Sequence, residues 1–175
     1  WRAQTVIRTS SPSFVVHHPL SYASRSEWDK AMCGIELVRL LRRKEDDGRE
    51  TRLIWMATEA HGLISAREFV DISIVEPIED GVMVYGQSVR VEGEDDAAVK
   101  KLREKFGCGD VVVGDNIPGC GWKFTSIEKE EKLVLCQYVI LSDLRGWLPS
   151  QFVNMAMVST LNTFFTRLAT ASTKK

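Results

Sequence analysis

Two strand–turn–strand units in succession place the strongest constraint on the fold of this chain. The first runs from IELVRLLRRK through EDDG to RETRLIWMATEA, and the second joins REFVDISIVE to GVMVYGQSVRVE through PIEDG. Each turn contains an Asp-Gly step, and these residues tolerate the positive φ of a tight hairpin. Successive hairpins of this kind predict a meander of antiparallel strands.

The segments on either side add further elements. WRAQTVI alternates as a strand, VVVGDNIPGCGWKFTSI and KLVLCQYVIL supply the last strands, and SPSFVVHHPLSYASRSEWDKAM is predicted as one or two short helices broken at Pro19. EDDAAVKKLREKFG is acidic at its start and basic at its end, which indicates a solvated surface helix rather than a docking helix. This order predicts an α+β fold, not the alternation of a parallel α/β protein.

The chain ends in a long amphipathic helix that starts at Pro149 and runs to about Thr170. At ~1.5 Å per residue it is roughly 30 Å long and can cross a small domain. Its apolar residues recur at steps of one, three and four: Phe152, Val153, Ala156, Met157, Leu161, Phe164, Phe165 and Leu168. This pattern alone favours packing on a filled core over covering a ligand cavity.

The strand RLIWMATEA is apolar on both faces, because Leu53, Trp55 and Ala57 alternate with Ile54, Met56 and Thr58. A sheet with two apolar faces must cover both of them or line a cavity with one.

Composition narrows the class of protein. The 175 residues fit one domain, and the net charge of -1 gives no electrostatic reason to expect a nucleic-acid partner. No apolar run reaches the ~18 residues of a membrane span. The four cysteines have no CxxC spacing, which argues against a zinc module or a disulfide framework and favours a reducing compartment: Cys33, Cys108, Cys120 and Cys136.

Candidate catalytic residues are few. Glu59 and His61 stand two apart near a strand end and could form an acid–base pair, but no nucleophile or orienting group accompanies them. His17 and His18 are adjacent and suit loop or cap positions better than shared metal ligation. The glycines of FGCGDVVVGDNIPGCG match no phosphate-binding pattern. We therefore predict no catalytic residue, no metal, no cofactor and no enzymatic activity.

Four segments resemble the START domains (steroidogenic acute regulatory protein-related lipid transfer domains). SRSEWDKAM is similar to the family's Trp-Asp segment, and ISAREFVDI to its ISPRDFVDL strand entry. GDNIPGCGW resembles the Gly-x-Asn-x-Pro turn, and LSDLRGWLPSQFVNMAMVSTLNTFF resembles the Asp-Leu-Lys-Gly-x-Leu-Pro start of the last helix. Their order and spacing also fit, so the resemblance spans nearly the whole chain.

The resemblance implies a helix-grip fold, in which a long curved antiparallel sheet wraps around the C-terminal helix and encloses a lipid tunnel. Residues 1–175 would form this domain without its usual first helix and strand, and the start at Trp1 leads us to expect a fragment of a longer protein. Such domains bind one sterol, phospholipid or sphingolipid and transfer it between membranes. The last helix and the loop from Glu76 to Gly81 would form the gate.

The family's fold, combined with strand parity and the helix stripe, predicts the tunnel wall. The family's buried Glu and Arg fall at Ile54 and Ser73, so that ion pair is absent and we expect a more apolar tunnel. Tyr138 matches a tyrosine that hydrogen-bonds the ligand in a ceramide-binding member, and Val113 replaces an Arg before the Gly-x-Asn-x-Pro turn. The predicted lipid-binding residues are Ile54, Met56, Thr58, Ser73, Cys136, Tyr138, Val153, Met157, Leu161 and Phe164.

Partners and location follow from the same resemblance. We expect a lipid ligand, transient contact with membrane surfaces, no nucleic acid and a monomeric, cytoplasmic protein that can sit peripherally on organelle membranes. A targeting segment upstream of Trp1 stays open. Two alternatives also stay open: a lipid-responsive regulatory module of a larger protein, and a helix-grip enzyme such as a cyclase or dehydratase that uses Glu59 and His61.

Overall fold

A computed structural model describes residues 1–9, 25, 27–43, 48–62, 64–108, 110–128 and 132–173. His17, His18 and Pro19 lie outside these residues. Within them the elements, in chain order, are β1 (Arg2–Arg8), β2 (Met32–Arg42), β3 (Glu50–Thr58), β4 (Arg67–Ile78), β5 (Gly81–Ser88), α1 (Gly93–Phe106), β6 (Val112–Val113), β7 (Asp115–Asn116), β8 (Cys120–Glu128), β9 (Leu133–Val139), β10 (Ser142–Asp143) and α2 (Ser150–Thr173).

One large sheet forms the body of the protein. Its strand order is β1-β9-β8-β5-β4-β3-β2, every neighbouring pair on this path is antiparallel, and β6 adds to β4 in parallel. Both predicted hairpins are present as β2–β3 and β4–β5. The long antiparallel sheet with a C-terminal helix confirms the α+β, helix-grip architecture.

The inner face of the sheet carries the main core. Cross-strand partners share a face, and the register places Trp122 opposite both Val84 and Tyr138, and Phe124 opposite Cys136. These side chains pack with Phe164 and Leu168 of α2. Every second residue of these strands therefore belongs to the face that α2 covers.

The outer face is covered by α1 over strands β2 to β4. Leu53, Trp55 and Ala57 of β3 pack with Val99 of α1, which is 1% exposed, and with Phe106. Our prediction of a solvated surface helix is wrong for this side of α1, although its acidic first turn and basic last turn are present. Its apolar residues stand at steps of three and four between charged ones, so a narrow stripe docks while the wider charged surface faces water.

The C-terminal helix begins where its sequence indicates. The N–H groups of Phe152 and Val153 donate to the carbonyl of Pro149 at 3.0 and 3.3 Å, and α2 then continues for 24 residues to Thr173. Its buried side chains are concentrated in the second half, whereas Met155 and Val158 in the first half are 72% and 56% exposed. Neither long helix in the described ranges is both long and apolar enough to cross a membrane.

The predicted gate loop from Glu76 to Gly81 is mostly strand. Glu76 and Ile78 belong to β4 and Gly81 begins β5, so the turn consists of Glu79 and Asp80. Glu76 also pairs with Arg49 at 2.5 Å and accepts a hydrogen bond from the Tyr85 hydroxyl at 2.9 Å. A two-residue turn with these attachments is a tight hairpin.

Candidate functional site

A partly open cavity of about 90 Å³ lies on the inner face of the sheet. Strands β2 to β5, β8 and β9 contribute its walls, and Arg25 closes one side. Its apolar lining is Ile35, Ile54, Met56, Val75, Val84, Gly86, Gly121, Trp122 and Cys120. Its polar lining is Arg25, Arg52, Asp71, Ser73, Tyr85, Asn116 and Tyr138.

An aromatic stack forms the wall between the cavity and α2. The rings of Trp122 and Tyr138 are parallel, with centroids 3.3 Å apart, and Phe164 of α2 lies 4.6 Å from Trp122. The guanidinium of Arg25 sits over the Trp122 and Phe164 rings at 5.9 and 5.6 Å. Through Phe164, the helix reaches the cavity wall and shares a cation–π contact with it.

Asp71 contributes a hydrogen-bonded carboxylate to the cavity lining. It accepts hydrogen bonds from the Ser88 hydroxyl at 2.6 Å and from the Asn116 side-chain amide at 2.7 Å. The side chain is buried, and this burial raises the pKa of Asp71, although the two hydrogen bonds act in the opposite direction. With both oxygens occupied, Asp71 organises its neighbours more than it offers a free acceptor.

Two hydroxyl groups face the cavity without a protein partner. Among the described residues, nothing hydrogen-bonds the hydroxyl of Ser73, which is 7% exposed, or that of Tyr138. Burial raises the pKa of Tyr138, so its phenol stays protonated and can donate or accept. A ligand with a hydroxyl, amide or ester group would satisfy both.

The cavity is more polar than the sequence predicted. Arg25 pairs with Asp29 at 3.0 Å, and Arg52 pairs with Glu50 next to it on β3. The family ion pair is indeed missing from Ile54 and Ser73, but their cross-strand partners are Asp71 and Arg52. Arg52 and Asp71 therefore place charged side chains at this level of the cavity, which the expectation of a more apolar tunnel did not include.

The predicted lipid-binding residues fall into two groups. Ile54, Met56, Ser73 and Tyr138 line the cavity together. The others lie elsewhere: Cys136 and Phe164 in the core beside it, Val153 and Leu161 buried and Met157 half-buried on α2, and Thr58 bonded through its hydroxyl to the Arg67 backbone.

Twelve of the sixteen lining residues were missed in the sequence, among them the polar residues Arg25, Arg52, Asp71, Tyr85 and Asn116. Strand parity carried the signal for two of them, because Arg52 is two residues from Ile54 and Asp71 is two residues from Ser73. Asn116 stood inside the quoted GDNIPGCGW segment, but its partner Asp71 lies on another strand. Arg25 approaches from outside the sheet, so no strand pattern could indicate it.

Three of the quoted motif segments meet where the chain enters α2. The Arg67 guanidinium donates to the carbonyls of Leu144 and Ser65, each at 2.6 Å. Asp115 pairs with Arg145 at 2.7 Å and with Arg90 at 2.7 Å, so charge pairing persists at this turn despite Val113. Strand β7 also pairs with β10. We call this arrangement of Arg67, Asp115 and residues 142–145 the entry junction.

Glu59 and His61 lie away from this site. Both are exposed in the connection after β3, and neither lines the cavity.

Comparisons with known proteins agree with this geometry. Human StAR-related lipid transfer protein 4 is 29% identical over 165 residues, which cover 94% of this chain and 71% of that protein. Human StAR-related lipid transfer protein 5 has a similar structure, with a TM-score of 0.74 at 21% identity over 98% of this chain and 74% of that chain. No protein-family model matches the sequence.

The lipid transfer and protein localization domain of human StarD13 (DLC2) shares the fold as well. It superposes with a TM-score of 0.70 at 14% identity, over 98% of this chain and 76% of that chain.

Proposed function

We propose that this chain is a START-like domain that binds a single lipid between the inner face of its sheet and α2 and transfers it between membranes; the sequence match and the shared fold support this proposal. The observation that carries the proposal is the cavity, in which an apolar and aromatic wall accompanies two unpartnered hydroxyls. The comparisons support the same function, because the sequence match and a structural match are both to proteins named as lipid transfer proteins.

The chemistry of the wall suits an amphipathic ligand. Ile54, Met56 and Val84 present apolar surface, and each methylene group buried there gains about 0.8 kcal/mol relative to water. The ligand's polar group would lie at Ser73 and Tyr138, which otherwise lose their hydrogen bonds on burial. This arrangement favours a sterol, phospholipid or sphingolipid with a hydroxyl, amide or ester near one end.

Binding requires the site to widen. A cavity of about 90 Å³ is smaller than the roughly 300–1,000 Å³ of typical ligand pockets. The first half of α2 is the element able to move, because its side chains contribute little to the core. Outward movement of this half, with the entry junction as its hinge, would open the space between helix and sheet.

The same region offers a surface for membranes. Trp147 is 90% exposed immediately before α2, and Phe152, Met155 and Val158 expose apolar surface along its first turns. Indole and aliphatic side chains in this arrangement partition into the interfacial region of a bilayer. Contact with a membrane would therefore take place at the part of the molecule that opens.

The direct test is lipid capture. The protein is incubated with phosphatidylcholine vesicles that contain cholesterol and ceramide, re-isolated and analysed by native mass spectrometry. One bound lipid per chain, together with transfer of that lipid to acceptor vesicles, is the expected result. A chain that stays empty and moves none of the three lipids would overturn the proposal.

Variants at the two hydroxyls test the site itself. Ser73→Ala and Tyr138→Phe should lower lipid occupancy several-fold, since each removes one polar contact worth about 1 kcal/mol. Tyr85→Phe is the matched control, because its hydroxyl already donates to Glu76. Equal occupancy in all three variants would place the lipid's polar group elsewhere.

Two other functions are separable by the same assays. A lipid-responsive module of a larger protein would bind one lipid without moving it between vesicles. An enzyme would require Glu59 and His61, which lie outside the cavity, and His61→Ala is expected to leave both lipid binding and transfer unchanged.

A further inference from the structure

Two cysteine thiols meet on the outer face of the sheet, on the side away from the cavity. The Sγ atoms of Cys33 and Cys108 are 2.7 Å apart, although 75 positions separate the residues in sequence. Both cysteines are free in this structure. A disulfide bond is about 2.05 Å long, so an approach of roughly 0.7 Å would join them.

The position of Cys33 is fixed by an irregularity in β2. Met32 pairs with Thr58 and Gly34 pairs with Ala57, which leaves Cys33 as the extra residue of a β-bulge. A bulge redirects the side chain of the extra residue. Here it places the Cys33 thiol against the end of α1, where it donates to the Phe106 carbonyl at 3.5 Å.

The position of Cys108 is fixed by the end of α1. Gly107 adopts the left-handed conformation, with φ of 65°, and its N–H donates to the Glu104 carbonyl. The N–H of Cys108 donates to the Arg103 carbonyl at 2.9 Å, which completes a Schellman-type helix end. Backbone geometry thus orients both sulfurs, and neither depends on a flexible loop.

Gly34 lets these two elements approach each other. A Cβ at this position would stand 2.8 Å from the Phe106 ring and 2.8 Å from the Trp55 ring. A larger residue would push the end of α1 off β2 and separate the two thiols. The close contact is therefore part of how α1 docks.

We propose that Cys33 and Cys108 form a reversible disulfide, a redox modification site that links α1 to β2. The oxidant is a small-molecule disulfide such as oxidised glutathione. The Cys33 thiolate, on the more accessible residue, attacks it to form a mixed disulfide and releases one glutathione thiolate. The Cys108 thiolate then attacks the Cys33 sulfur and releases the second, so the protein loses two protons and two electrons and the oxidant becomes two thiols.

The environment of Cys108 sets the rate of the second step. Burial, and after it the adjacent Cys33 thiol, raise the pKa of the Cys108 thiol to about 12. Only the thiolate attacks a disulfide, so ring closure should accelerate as pH rises through the range of 7 to about 9. The site accordingly responds to sustained oxidation and not to a brief pulse.

The test uses oxidised glutathione, followed by iodoacetamide and peptide mapping without reductant. We expect two of the four thiols to escape alkylation and the peptide that contains Cys33 to be cross-linked to the one that contains Cys108. Cys108 and Cys120 share one tryptic peptide, so the map is repeated in Cys120→Ser, which should form the same cross-link. Cys33→Ser and Cys108→Ser should form none.

Stability provides a second readout. Closing a loop of this length should raise the Tm of the oxidised protein by about 5–10 °C, and this gain should be absent in Cys33→Ser. Four alkylatable thiols after oxidation, a cross-link that involves Cys120, or a glutathione adduct that never closes would each overturn the proposal.

Discussion

The two helices lie on opposite faces of the same sheet and are held there by different kinds of contact. Helix α1 is fastened by charge: Arg103 donates twice to the fully buried Glu68 at 2.6 Å, and Lys105 pairs with Glu36 at 2.6 Å. In the described part of α2 the structure shows no ion pair, and its second half is held by apolar packing around Leu168.

This difference indicates which of the two helices is held in a single position on the sheet. A bidentate pair between a guanidinium and a buried carboxylate requires one geometry, because any displacement leaves a charge without a partner. Apolar packing has no such directionality, and half of α2 has little of it. The outer cover is therefore specified as a single arrangement, whereas we propose that the inner cover changes its distance from the sheet to admit a ligand.

Breaking the charged attachment of α1 should give the largest loss of stability. Arg103→Met leaves the buried Glu68 carboxylate with the Trp55 indole N–H as its one remaining side-chain donor among the described residues, and removing one partner of such a pair costs about 3–5 kcal/mol. Urea denaturation measures the change. Lys101→Met on the exposed side of the same helix is the control and should change the free energy of unfolding by less than about 0.5 kcal/mol.

The two halves of α2 should respond unequally to truncation. Leu168→Ala removes a side chain that is 0% exposed, and such core truncations cost about 2–5 kcal/mol. Met155→Ala, at 72% exposure, should cost less than about 0.5 kcal/mol. If both variants unfolded at the same urea concentration, the helix would be uniformly docked and the proposed opening of its first half would fail.

Weakening the entry junction should have an intermediate effect. Arg67→Met removes charged donors from the carbonyls of Leu144 and Ser65, which should lower the free energy of unfolding by about 2 kcal/mol. It should also alter the rate of lipid transfer, because the hinge of α2 loosens. Arg90→Met is the control: its pair with Asp115 is exposed and should contribute less than about 1 kcal/mol.

The smallest effect should be a dependence of the unfolding free energy on pH that arises from Asp71 in the cavity wall. Burial raises the pKa of Asp71 above its unfolded value of about 3.9. The protonated carboxyl therefore favours the folded state below pH ~4, and this contribution is lost as pH rises through the raised pKa. Unfolding free energies of wild type and Asp71→Asn should diverge over this range, with wild type losing relative stability at higher pH. If the difference between the two unfolding free energies stayed constant with pH, it would contradict the raised pKa of Asp71.

Much of the fold was predictable because its signals are local. The Asp-Gly turns indicated both hairpins, and Pro149 indicated the start of α2, whose first N–H groups bond its carbonyl. Part of the site was predictable for the same reason, since alternation along a strand put Ile54 with Met56 on one face. The resemblance to the family then indicated that this face of the sheet points toward the C-terminal helix.

The docking of α1 was obscured by its composition. Val99, Leu102 and Phe106 are a sparse stripe among eight charged residues, and a charged helix is more often solvated. The decisive partner, Glu68, lies on β4 between Arg67 and Phe69, far from α1 in the sequence. Nothing local to either segment indicates that Arg103 will meet it.

The sequence by itself determined which segments form strands, turns and helices, because those choices depend on residues a few positions apart. The tertiary structure alone decided which distant groups meet: Asp71 with Asn116, Arg67 with Leu144, and Cys33 with Cys108. These contacts depend on strand order, on register and on one bulge in β2, and each of these is fixed only when the whole sheet assembles.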